Sequence, residues 1–151
     1  MPQSLAQIYV HIIFSTKGRQ PFLGDSIFRR ETHAYLAGIC KQQESPAVVI
    51  GGVADHVHIL NRLGRTIDLA TLVREIKRDS AKWIKETHPK LQGFHWQAGY
   101  GAFSVSPSHV EAVVRYIKNQ EEHHRTITFQ EEFRRICKKY GVEIDERYVW
   151  D

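Results

Sequence analysis

Two histidines separated by one residue, His56 and His58, lie in the run Ala54-Asp55-His56-Val57-His58-Ile59-Leu60, and a tyrosine and a glutamine four apart, Tyr116 and Gln120, lie further along the chain. Alternate residues of a strand share a face, so both imidazoles point the same way while Val57 and Ile59 anchor the opposite side. Neutral imidazole is the commonest protein metal ligand, and such a pair is a bidentate claw for a divalent ion. Taken alone, the pattern describes two half-exposed histidines in a sheet equally well. Residues four apart on a helix also share a face, which places Tyr116 one turn from Gln120. A phenol with an ordinary pKa of about 10 is a poor nucleophile at neutral pH. It attacks phosphorus when a metal ion withdraws charge from the phosphate oxygens. Gln120 offers a neutral oxygen to complete a three-ligand set with His56 and His58, leaving positions open for substrate. The bland alternative is a half-buried helix tyrosine beside a surface amide.

The elements that must position these groups follow from hydrophobic period. A first strand is expected from Gln7 to Phe14, central in its sheet, with Lys17, Arg19 and Gln20 forming a basic loop before Pro21. A helix is expected from Ile27 to Gln43, capped by Asp25 or Ser26. The apolar run Ala47 to Ile50 reads as a strand, a tight turn from Gly51 to Asp55 follows it, and the histidine strand comes next. A second helix, capped by Thr66 and reaching about Thr87, carries Leu69, Leu72, Val73, Ile76, Trp83 and Ile84 on one face and Arg74, Lys77, Arg78, Lys82 and Lys85 on the other. That basic face is either a solvated surface or a stripe that tracks phosphates. The stretch Gly93 to Ser106, rich in glycine and aromatic residues, reads as a bent strand and loop, with Phe103 and Trp96 in the core. Pro107-Ser108 opens a helix of about 108–124 that bears Tyr116, and a helical tail of about 129–151 closes the chain.

Composition bounds the rest. With 151 residues, 42% hydrophobic and 25% charged, the chain has the length and apolar content for a single domain spanning 1–151. There is no apolar run long enough to span a bilayer and no cleavable leader, so a soluble, cytoplasmic protein is expected. Cys40 and Cys137 sit in separate helical segments and read as free thiols. A net charge of +4 permits a polyanionic partner without requiring one.

Three motifs in order carry a resemblance: Asp55-His56-Val57-His58-Ile59-Leu60, then Trp96-Gln97-Ala98-Gly99-Tyr100-Gly101-Ala102-Phe103-Ser104-Val105-Ser106, then Tyr116-Ile117-Lys118-Asn119-Gln120-Glu121-Glu122-His123-His124. Together they resemble the single-tyrosine HUH transposases of the insertion-sequence 200/605 family, from Tyr9 to about His124. Each motif is weak alone; the series is specific. The resemblance implies an α+β fold with a ferredoxin-like or RRM-like antiparallel sheet and helices packed on one face. It implies a divalent ion, Mg2+ or Mn2+, held by His56, His58 and Gln120, with Tyr116 attacking single-stranded DNA to leave a 5′-phosphotyrosine and a free 3′-hydroxyl. It also implies a homodimer that recognises DNA hairpins, with active sites shared between subunits. Residues 129–151 match none of these motifs, and Asn61-Arg62 follows the histidine strand where many family members stay apolar.

The function expected from residues and resemblance together is cleavage and rejoining of single-stranded DNA at element ends. Lys17, Arg19, Arg74, Lys77, Arg78, Lys82 and Lys85 would hold phosphates, and Tyr100 or Trp96 would stack on an unpaired base. The alternative is a non-catalytic, domesticated RRM-like module that binds a hairpin or single strand. A third reading is a structural dimer with incidental histidines. The presence of His56, His58, Tyr116 and Gln120 together favours the enzyme, because a binder needs no such set.

Overall fold

A strand whose residues are apolar on both faces needs cover on both sides, and the two middle strands of this chain have that character. In the computed structural model, which describes residues 2–151, β1 (Tyr9–Ser15) and β3 (His56–Arg62) are almost wholly buried. They pair antiparallel, with Ile13 opposite His58 and Ser15 opposite His56. β2 (Ala47–Val53) and β4 (Gly101–Val105) form the edges, giving the order β2-β3-β1-β4. With α1 (Ser26–Gln42) between β1 and β2, and α2 (Leu69–Thr87) between β3 and β4, this is the expected α+β ferredoxin-like sheet with β1 at its centre.

The two faces are built differently. Val10, Ile12, Phe14, Val57 and Ile59 face Phe28, Leu36, Ile39 and Cys40 of α1 and Leu72, Val73, Ile76 and Ile84 of α2. Asp25 caps α1, its carboxylate accepting from the amides of Ile27 and Phe28; Asp68, rather than Thr66, caps α2 by accepting from Thr71. Trp96 closes this core edge-on against Phe14 and Phe94. The other face carries the sheet's histidines and is also covered, which the expectation of helices on one face left out. α3 (Val110–Lys118) packs Ile117, Val113 and Val114 on Leu60 and Val105. α5 (Phe129–Lys139) packs Phe129, Phe133 and Cys137 on Ile13 and Phe103. Burial of each such phenylalanine contributes about 2 kcal/mol, so α5 is held by its apolar stripe.

Three boundaries differ from those expected. Gly51 and Gly52 lie inside β2, and the turn is only Ala54-Asp55. The glycines serve close approach here: a Cβ on Gly51 would collide with the carbonyl oxygen of Ile117, so the bare backbone lets the end of α3 rest on the sheet. The tyrosine helix is interrupted at Asn119, after which α4 (Gln120–His123) continues for one turn. The tail is helical only to Lys139 and then runs through turns to Trp150, whose ring meets Phe129 and Phe133.

Candidate active site

β3 presents His56 and His58 side by side on the face covered by α3 and α5, both fully buried. Asp55 accepts a hydrogen bond from Nδ1 of His56 at 2.7 Å, which turns the other ring nitrogen, Nε2, inward. A third histidine, His11 of β1, lies 2.8 Å from Nδ1 of His58 and does the same for that ring. Gln120 then comes within 2.9 Å of His56 Nε2 through its Oε1, so three of the four residues expected to make the site converge as spaced. Tyr116 joins them. Its ring centroid is 5.8 Å from that of His58 in the same chain.

At the centre stands a residue the sequence reading did not single out. Glu132 of α5 is 1% exposed. Its Oε1 lies 2.9 Å from His58 Nε2, 3.1 Å from His124 Nε2 and 3.4 Å from His56 Nε2. Its Oε2 accepts from Gln120 Nε2 at 2.9 Å and from the Tyr116 hydroxyl. The sequence did contain a signal: Glu132 sits among Phe129, Phe133, Ile136 and Cys137 on the apolar face of an amphipathic helix, where a carboxylate is costly unless paired.

The electrostatics follow from these contacts. Burial pushes the Glu132 carboxyl up, but hydrogen bonds from His124, His56 and His58 outweigh it and hold the group far below the usual carboxylate range. Burial likewise opposes charge on His56, yet its bonds to Asp55 and Glu132 raise its pKa to about 9. Burial dominates at His58 and His11, which fall to about 4 and about 3. The Tyr116 hydroxyl is raised above its ordinary value by burial and by the neighbouring charge of Glu132. The His56 imidazolium therefore stands between the Asp55 and Glu132 carboxylates, and the phenol keeps its proton.

These shifts set a pH dependence. Unfolded histidines titrate near 6.5, whereas His11, His58 and His33 in the fold do so at about 3, 4 and 4. As pH falls below 6.5, the unfolded chain therefore takes up protons that the fold refuses, and stability declines. His56 acts in the opposite sense: its contribution is full below 6.5 and is lost as pH rises toward 9. Ion-free protein should be most stable near pH 6.5, losing on the order of 1 kcal/mol per pH unit for each group that titrates on either side. Urea midpoints at about pH 5, 6.5 and 8 check this, and a steady rise across that range contradicts it.

The donor set fits a divalent ion. One ligand atom each from His56, His58, His124 and Glu132 lies within 4.8 Å of the others, and the outer nitrogens of the first two rings are already bonded to Asp55 and His11, as metal-binding histidines require. Beside the cluster, a cavity of about 700 Å³ is lined by Tyr116, Glu132, His109, His123, Arg135, Lys139 and Tyr140. Its cations, Arg135 and Lys139, and its exposed aromatic ring, Tyr140, were not among the DNA-binding residues expected from sequence.

The basic residues expected from sequence to meet DNA lie away from the histidine cluster. α2 packs on the opposite face of the sheet, so Arg74, Arg78, Lys82 and Lys85 are separated from the histidines by its full thickness. Arg74 and Arg78 pair with Glu75, and Lys82 lies 4.0 Å from Glu86. Lys77 is engaged within its own chain. Its Nζ donates to the carbonyls of Gln97, Ala98 and Gly99, and burial lowers its pKa to about 8, so it ties down the loop before β4. Trp96 is buried and donates to Ser80 at 2.9 Å, which removes it as a stacking platform, whereas Tyr100 is 39% exposed. Lys17 is exposed; Arg19 is partly covered and lies 5.9 Å from the Trp150 ring.

Comparison with known proteins agrees with this geometry. Residues 4–120 match the model of the family described as IS200-like transposases. No curated protein matches the chain. Among solved structures, a candidate transposase from Deinococcus radiodurans R1 is similar with a TM-score of 0.65 and 24% identity, over 80% of this chain and 95% of that one. A REP-associated tyrosine transposase bound to a REP hairpin is similar with a TM-score of 0.58 and 13% identity, over 84% of this chain and 76% of that one. At these identities the likeness speaks for the fold. No helix among the described residues is long and apolar enough to cross a membrane.

Proposed function

The chain belongs to the IS200-like transposase family, and on that footing we propose that it cuts and rejoins single-stranded DNA with Tyr116 as the nucleophile. The observation that carries this reading is the Tyr116 hydroxyl bonded to a buried carboxylate beside paired histidines, at the edge of a cation-lined cavity. The phenolic oxygen, oriented by its hydrogen bond to Glu132, attacks phosphorus and gives up its proton to solvent; the bond from phosphorus to the 3′-oxygen breaks, that oxygen takes up a proton to leave as the free hydroxyl, and the 5′-phosphate stays bound to tyrosine. Rejoining reverses these steps: a 3′-hydroxyl displaces Tyr116, and the phosphotyrosine bond conserves the free energy needed. A divalent ion held by His56, His58 and Gln120 would supply charge withdrawal from the phosphate oxygens. Arg135 and Lys139 hold neighbouring phosphates, Tyr140 offers a stacking face, and the basic residues Lys17 and Arg19 extend the path.

The substrate is read as single-stranded DNA carrying a hairpin, as in the hairpin-bound structural relative, and the protein is read as acting in the cytoplasm. A homodimer with exchanged tyrosine helices follows from the family resemblance. The packing of α3 against Leu60 and β2 of its own chain supports a site completed within one subunit; exchange of the tyrosine helix would have to begin in the segment between β4 and α3.

One experiment addresses both. Protein incubated with single-stranded DNA from the flanks of its own gene and a divalent ion should give a covalent adduct on a denaturing gel; its absence across all flanking sequences speaks against the enzyme. Mixing Tyr116→Phe and His56→Ala proteins, with subunit exchange shown by co-purification, should leave cleavage absent if each chain builds its own site. Recovery would show instead that the helices are exchanged.

A further inference from the structure

The proposed ion set uses three residues, but two further donors, His124 and Glu132, converge on the same space. In His124, Nδ1 lies 2.9 Å from the carbonyl oxygen of Ile127, which can only accept, so that nitrogen donates there and the ring is fixed. Its Nε2 is thereby turned toward Glu132 Oε1, 3.1 Å away. His56 repeats the arrangement. Its Nδ1 is committed to the Asp55 carboxylate, and its Nε2 faces Gln120 Oε1 at 2.9 Å and Glu132 Oε1 at 3.4 Å. With His58 Nε2 at 2.9 Å from the same carboxylate oxygen, three oriented rings and one carboxylate surround a single buried point, as the ligands of one cation do.

Resting on the ion-binding reading above, we infer that His124 and Glu132 are metal ligands with His56 and His58, and that this set selects a zinc-, cobalt- or nickel-type ion over magnesium. Imidazole nitrogen suits the later first-row ions, whereas magnesium prefers oxygen and retains water. Four protein donors that converge in a buried space would let an ion contribute to folding, and expansion to a fifth position would still admit a phosphate oxygen. The chain connectivity makes the structural part concrete. His124 follows α4 and Glu132 lies in α5, so an ion bound to both and to β3 pins the C-terminal helix to the sheet.

The test is calorimetric titration of the full, chelator-dialysed chain with zinc chloride and with magnesium chloride, with far-UV circular dichroism to verify the fold. Zinc should bind one to one and at least about a hundredfold more tightly than magnesium, and His124→Ala and Glu132→Gln should each weaken zinc at least about tenfold. Glu132→Gln keeps the side chain's shape and part of its hydrogen bonding, which guards against simple unfolding. As a second measurement, the visible spectrum of the cobalt-loaded protein should change in His124→Ala, because one nitrogen leaves the coordination sphere. Zinc affinity equal to the parent in both variants, with His56→Ala still losing it, overturns this ligand assignment and leaves the ion reading intact. Tighter binding by Glu132→Gln likewise overturns it, since the carboxylate would then only obstruct the site. A parent protein that binds neither ion overturns both.

Discussion

Tyr116→Phe is expected to reduce DNA cleavage at least about a thousandfold and to eliminate the covalent adduct, while hairpin and ion affinities stay near those of the parent. The change removes one oxygen. The ring keeps its place against His58 and His11, with centroids at 5.8 and 6.3 Å, so the site's packing survives. What disappears is the group of the cluster that is an oxygen nucleophile and is oriented by a hydrogen bond to Glu132. Loss of that bond costs about 1 to 2 kcal/mol of stability, small enough for the variant to fold. Single-turnover cleavage on a denaturing gel, with hairpin binding measured in parallel, decides the matter. An adduct that persists moves the nucleophile elsewhere, and Tyr100, exposed before β4, is next in line.

Glu132→Ala should be the most damaging single substitution to the ion-free fold, lowering stability by about 3 to 5 kcal/mol. Glu132 is the shared acceptor for His58, Gln120 and Tyr116, and the counter-charge for the His56 imidazolium. Its removal leaves a buried cation facing only Asp55, and strips donors of partners they cannot replace from water. The double variant Glu132→Ala/His56→Ala should recover part of the loss, because both charges leave together. Urea unfolding of the single and double variants measures this. Strict additivity would show that the pair is not coupled.

These two residues mark what could be read from sequence and what could not. His56 and His58 were legible because strand period alone puts them on one face, and Tyr116 with Gln120 because helix spacing survives the single-residue break at Asn119. Glu132 was not. Its place on the apolar stripe of α5 marks it as a buried, paired carboxylate, but only the tertiary fold shows that the surface this helix covers is the one bearing the histidines. His11 was hidden in the same way, as one position in an alternating strand whose partner lies 47 residues on. The distance of the α2 cations from the histidines was hidden for a related reason: helical period separates a wet face from a dry one, but says nothing about which side of the sheet the helix occupies. The two glycines of β2 are the usual sign of a turn, and here they make room for a neighbour's backbone.

The family match ends at residue 120, yet part of the cover over the histidine face, that of α5, comes from residues beyond it. A chain cut between α4 and α5 would keep the sheet, the tyrosine and the histidine pair, but would lay Ile13 and Phe103 open to water beside uncovered imidazoles. Such an apolar patch, ringed by polar groups, is adhesive. The trimmed protein would trade a wet, self-contained surface for one that seeks a second copy. Concentration-dependent association of the shortened chain would thus be a property of the cut, and no guide to how the intact protein assembles.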